Sequence, residues 1–177
     1  MKQISNIIFV FALLMVAMTS CIENEPVVFD ESVAEFDAAV WNTPATGQTY
    51  PILTRVPGFG RAVSTNATAP STADPAITRG SGTINFRVNL VGPPATSEQT
   101  LAVSVVSENS TATAGVHYTA PTSVVIPAGE NFGTLSVPIL NPGASTGSVI
   151  VVLQLDGNST VLPSENYKRI GISIAQN

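Results

Sequence analysis

Residues 111–140, TATAGVHYTAPTSVVIPAGENFGTLSVPIL, constrain the fold more tightly than any other stretch of the chain. Val124 and Ile126 share one parity, the segment PAGEN at 127–131 supplies turn residues, and Leu135, Val137 and Ile139 resume a period of two. That period puts alternate side chains on opposite faces of an extended strand. Two such runs joined by a Pro- and Gly-containing turn predict a β-hairpin, around which the remaining strands are arranged.

The same alternation recurs on both sides of this stretch. In residues 83–91, Ile84, Phe86, Val88 and Leu90 point one way and Asn85, Arg87 and Asn89 the other, so one face is buried and one is wet. Gly92, Pro93 and Pro94 stop that strand, and Leu101, Val103 and Val105 begin the next. Val149, Val151, Leu153 and Leu155 alternate with Ile150, Val152 and Gln154, which predicts a strand apolar on both faces and therefore central. Asp156 and Gly157 mark a turn, and Ile170, Ile172 and Ile174 form the last strand. Near the start, Val33 to Trp41 carries Phe36, Ala38 and Val40 on one parity and, with residues 27–29, predicts a split first strand. Seven to eight strands with turn signals at short intervals, and no helix beyond the leader, predict an all-β antiparallel β-sandwich.

Between residues 42 and 82 the texture changes. Five prolines interleave with five glycines (Pro44, Pro51, Pro57, Pro70 and Pro75; Gly47, Gly58, Gly60, Gly80 and Gly82), which excludes long helices. A short strand fits residues 50–56, while residues 64–74 have little to bury. Long excursions of this kind are functional loops or mobile ones. Arg55, Phe59 and Arg61 around Pro57 are its candidate binding residues, set against the commoner role of an excursion packed on a sheet edge. Trp41, the only Trp, serves as a core plug at one end of the sandwich, the commoner arrangement, or as a platform for a sugar ring or peptide.

Charge is sparse. Twelve Asp and Glu against seven Lys and Arg leave a net charge of −5, and the basic residues stand singly or in one pair, so no nucleic-acid footprint is present. Lys2 followed by the apolar run 7–18 reads as a signal peptide, too short for a permanent membrane helix. Thr19 and Ser20 precede Cys21, the only cysteine, and MTSC at 18–21 resembles the lipobox of bacterial lipoproteins. The resemblance implies cleavage before Cys21 and acylation of its thiol, anchoring the protein in the outer membrane. The acidic pair in IENE at 22–25 resembles the export signal that carries lipoproteins of Bacteroidota-type bacteria to the cell surface; a solvated tether has the same composition, so a periplasm-facing placement stays open. The expected organisation is a leader at 1–20, an acylated Cys and tether at 21–26, and one domain at 27–177.

ATAGVHY at 112–118, VVIPAGE at 124–130 and GTLSVPIL at 133–140 resemble the Calx-beta domain and related uncharacterised domains of Bacteroidota surface lipoproteins. The likeness covers residues 83–174 and implies an immunoglobulin-like sandwich with Greek-key connections. Calcium-binding members carry an acidic cluster after the strand matching residues 135–140; here NPGASTG at 141–147 stands there, and His117 replaces the family's Asp before Tyr118. Calcium needs several converging oxygen ligands, so no calcium site of that type, and no other metal or cofactor, is expected.

His117, the only histidine, sits at the mouth of a strand, where a turn-stabilising hydrogen bond is the expected role rather than general-base catalysis. Metalloprotease, paired-cysteine, P-loop and nucleophile-elbow motifs are all missing from the sequence. Asp156 and Glu165 lie beside turn residues, where solvation explains them better than a glycosidase pair. The sequons at Asn66, Asn109 and Asn158 indicate surface loops. The expected function is a non-catalytic cell-surface lipoprotein binding a glycan or protein partner within a nutrient-acquisition complex. The alternative is a structural or adhesive module, pilus- or matrix-like, that works by strand pairing.

Overall fold

A computed structural model of the 177-residue chain describes residues 31–37, 44–58 and 74–177. Nine strands run through them: β1 (Val33–Phe36), β2 (Ile52–Leu53), β3 (Thr83–Val91), β4 (Gln99–Val105), β5 (Ser123–Ile126), β6 (Phe132–Pro138), β7 (Ser148–Gly157), β8 (Leu162–Pro163) and β9 (Arg169–Ala175). The only helical element among the described residues is a single 3-10 turn at Ser107–Asn109. Two sheets form an immunoglobulin-like sandwich, one of four strands in the order β6-β3-β1-β8 and one of five in the order β2-β9-β7-β4-β5.

The alternating residues build the core from both sides. Ile84, Phe86, Val88 and Leu90 of β3, with Leu135 and Val137 of β6, are buried from the four-stranded sheet. Leu101, Val103, Val124, Ile126, Ile170, Ile172 and Ile174 are buried from the other, in the same apolar cluster. Interdigitation of two inner faces in this way is how a sandwich fills its middle layer. β7 lies between β9 and β4, and its Val151, Val152, Leu153 and Leu155 are all fully buried, as its two apolar faces require.

The expected hairpin is not one. β5 pairs with β4 through Leu101↔Val124, while β6 pairs with β3 through Phe86↔Leu135, so the PAGEN turn carries the chain from one sheet to the other. Alternation shows that each strand has one buried face, but a buried face can be satisfied across the core as well as beside a neighbour. The turn is clamped from outside by Gly129 N–H donating to the Ala95 carbonyl (2.8 Å) and Leu90 N–H donating to the Asn131 carbonyl (2.6 Å). Among the described strands only β4 and β5 are both consecutive and paired.

Two further differences concern the sheet edges. The described strands number nine rather than seven or eight: the short strand fitted to residues 50–56 is present as β2, while β8, two residues long, was too short to show a period. Both also run parallel to their neighbours, β2 to β9 and β8 to β1, so the sheets are mixed rather than purely antiparallel. Parts of the first-strand reading, residues 27–29 and 38–41, lie outside the described residues, as do residues 64–73 of the excursion.

A loop meets the end of one edge strand. The 112–118 segment folds into a tight turn in which His117 Nδ1 accepts from Thr113 N–H at 2.9 Å and Gly115 takes φ +77°. This is the turn-stabilising role expected of His117. Tyr118 then enters the core, 2% exposed, and burial pushes its phenol above the usual range. Thr119 N–H donates to the Pro138 carbonyl and Leu140 N–H to the His117 carbonyl, both at 2.9 Å, so this segment caps the C-terminal end of β6.

Candidate functional site

Of the residues singled out for binding, Arg55 is the one the structure describes. Its Nη1 donates to the Asp74 carbonyl at 2.6 Å, and its backbone bridges Ala76. With Val56 N–H on the Pro75 carbonyl and Ile77 N–H on the Thr54 carbonyl, both 2.9 Å, this ties the two ends of the excursion together beside β2. Arg55 is therefore a staple of the loop base. Trp41, Phe59, Arg61 and the lipidation residue Cys21 lie outside the described residues.

A groove forms elsewhere, where the β8–β9 turn meets the turn before β2. It has a volume of about 420 Å³ and is lined by Thr49, Glu165, Asn166, Lys168 and Arg169. That lies within the usual range of ligand pockets, roughly 300–1,000 Å³. Thr49 is positioned by a turn closed by Ala45 N–H on the Tyr50 carbonyl (3.0 Å), with buried Tyr50 as its anchor. The opposite wall is fixed by the main chain. Ser164 N–H donates to the Ala34 carbonyl (2.8 Å), Phe36 N–H to the Tyr167 carbonyl (2.9 Å), and Leu155 N–H to the Lys168 carbonyl (2.8 Å). The turn is thus held by strands of both sheets, a rigid mounting for polar side chains.

The charges in the groove are arranged unequally. Lys168 Nζ pairs with Glu165 Oε2 at 2.9 Å, with the Glu165 side chain 86% exposed. Arg169 faces Gln154 across the β7–β9 ladder, and its Nε donates to Gln154 Oε1 at 2.6 Å, while Gln154 Nε2 donates to Asp156 Oδ1 at 2.8 Å. The carboxamide therefore orients the guanidinium by one edge. No carboxylate among the described residues pairs with Arg169, whereas Arg87 pairs with Asp37 at 3.8 Å and stacks on Phe132 at 4.0 Å. Such a lining can bind polar groups, and Glu165 and Asp156 are each engaged by a neighbouring side chain. Among the described residues no group of three or more His, Cys, Asp or Glu gathers as a metal site.

Sequence reasoning missed Thr49, Asn166, Lys168 and Arg169. One signal pointed at them: Lys168 and Arg169 are the chain's only adjacent basic residues. Nothing local indicated that Thr49, more than a hundred residues earlier, would face them.

Residues 75–173 match a family described as a domain of unknown function, DUF4843. The chain belongs to the DUF4843 family. The DUF4843 match takes in β3 to β8 and most of β9, including Glu165, Asn166, Lys168 and Arg169, and leaves Thr49 outside. No curated protein matches the chain significantly. Among solved structures it is similar to the crystal structure of the apo form of the Calx CBD1 domain, at 13% identity and a TM-score of 0.48, covering 57% of this chain and 88% of that one. It is also similar to CBD12 from CALX1.2 (13% identity, TM-score 0.47) and to the calcium binding domain CBD12 of CALX1.1 (13% identity, TM-score 0.48). Each of these two comparisons covers 56% of this chain and 40% of the other. The sandwich assignment for this DUF4843 protein rests on its own strand pairing.

Proposed function

We propose that this protein is a non-catalytic binding module, held at the outer membrane by an acylated Cys21 and facing the cell exterior, that takes a glycan in the groove beside the β8–β9 turn. The observation that carries the reading is the groove itself, in which hydroxyl, carboxamide and charged side chains converge on a main-chain mounting. A neutral or weakly charged polar ligand is met by such groups through hydrogen bonds whose geometry is set in advance. The strand-pairing alternative has little edge to use at β2 and β8, two residues each, or at β5, four, and residues 117–119 occupy the outer edge of β6 at its Pro138 end.

The test uses the full chain in cells and in detergent. Binding of purified lipidated protein to a panel of immobilised polysaccharides should be found and should be abolished by Asn166→Trp, which fills the groove from an exposed position. Protease treatment of intact cells should remove the domain, and Cys21→Ala should release it from the membrane fraction. Glycan binding that persists undiminished in Asn166→Trp, or membrane retention of Cys21→Ala after peripheral proteins are stripped, would overturn the corresponding half of the proposal.

A further inference from the structure

We infer that the groove selects a sugar bearing a single carboxylate, a uronic-acid type residue, with Arg169 as its anchor; the inference rests on the binding-module reading and specifies its ligand. Arg169 is half-buried on the outer face at the start of β9, and Gln154 holds its guanidinium through Nε alone. Its two terminal nitrogens make no hydrogen bond to the described residues, and a planar guanidinium edge matches a planar carboxylate through two parallel hydrogen bonds. Lys168 is already committed to Glu165.

The charge balance selects the class of anion. Two cations against one carboxylate leave the lining with one positive charge, which a monoanion neutralises. A phosphate dianion would exceed it and would stand near the exposed Glu165 carboxylate. The other groups suit the rest of a sugar ring. Glu165 offers acceptors for hydroxyl protons, Thr49 donates and accepts, and Asn166 offers both a carbonyl and an amide. A simple anion would leave these groups unused. Nucleic acid is disfavoured independently by the net charge of −5.

The experiment is calorimetric titration of the full lipidated chain in detergent with a galactose trisaccharide carrying one galacturonate residue, its methyl ester and the neutral galactotriose, and with a short peptide bearing a free or an amidated C-terminus. The acid should bind about tenfold or more tightly than its ester, as expected for a charge-assisted bidentate contact. Arg169→Gln should erase that preference, and Arg169→Lys should restore only part of it. Thermal unfolding of both variants confirms that they fold. Equal affinity for acid and ester, or a preference unchanged in Arg169→Gln, overturns the inference. So does binding of the free-carboxylate peptide with no saccharide binding. The module reading is separable: saccharide binding without acid preference, abolished by Asn166→Trp, leaves it standing, whereas no saccharide binding by any ligand removes both.

Discussion

The carbonyl oxygen of Val125 lies where a side chain on Gly133 would have to begin: a Cβ built there would fall well inside van der Waals contact with Val125 O and C and only 3.2 Å from Ile126 Cγ1. Val125 belongs to β5 of one sheet and Gly133 to β6 of the other, so the close approach marks the corner where the chain changes layers. Gly133→Ala should therefore destabilise the fold by about 1–3 kcal/mol, the usual cost of forcing atoms into a packed site. Gly80→Ala, whose nearest neighbour would be 3.7 Å away, should stay within about 0.5 kcal/mol. Urea unfolding of the two variants checks both, and equal midpoints would disprove the corner packing.

Phe86 is 1% exposed, opposite Leu135 in the β3–β6 ladder. Truncating it leaves a cavity that neighbours from both sheets cannot fill, so Phe86→Ala should cost about 3–5 kcal/mol. A loss below about 1 kcal/mol in chemical denaturation would contradict its place in the core.

Glu35 on β1 carries a carboxyl held above its ordinary value of 4.5, first by burial and second by the charge of Asp37. The folded protein thus binds this proton more tightly than the unfolded chain does. Its contribution to stability is complete at low pH and is lost as pH rises from the ordinary Glu value through the raised folded one. Glu35→Gln should remove that loss, with a gain at neutral pH below about 1 kcal/mol because solvent screens a half-buried group. Stability curves of the two proteins should diverge as pH rises above 4.5; parallel curves would rule the effect out.

Asn158 closes the turn after β7. Its Oδ1 accepts from Thr160 N–H (2.9 Å) and Val161 N–H (2.8 Å), and its Nδ2 donates to the Thr100 carbonyl (3.2 Å), next to Gly157 at φ +74°. The sequon asparagine is thus a structural residue. Asn158→Ala should lower stability by about 1–3 kcal/mol, because it strands main-chain groups in a tight turn. Asn158→Asp keeps the acceptor and should recover part of the loss, as read by thermal unfolding of both variants.

These residues differ in how visible they were beforehand. Phe86 was placed correctly by alternation alone, since a period of two reports directly which face of a strand is buried. The central position of β7 was equally legible, because only a strand covered on both sides tolerates Val151, Val152 and Leu153 in succession. Gly133 was not: its requirement comes from Val125 on a different sheet. The binding residues divide likewise. Arg55 was marked for a ligand because it stood beside Pro57 and Gly58 in a loop; that its guanidinium also bonds the Asp74 carbonyl at the loop's own base had no local signal.

What the amino-acid sequence determined by itself was the set of long strands, the inward face of each and the local turn at His117. These depend on contacts between near neighbours along the chain and on the two-residue period of extended backbone. Only the tertiary structure decided that β5 and β6 belong to opposite sheets, and that Thr49, a loop residue before β2, stands beside Lys168 and Arg169. The physical reason is common to both. Strand partners and groove walls are chosen by burying apolar faces against residues far away in sequence, and that energy has no local signature.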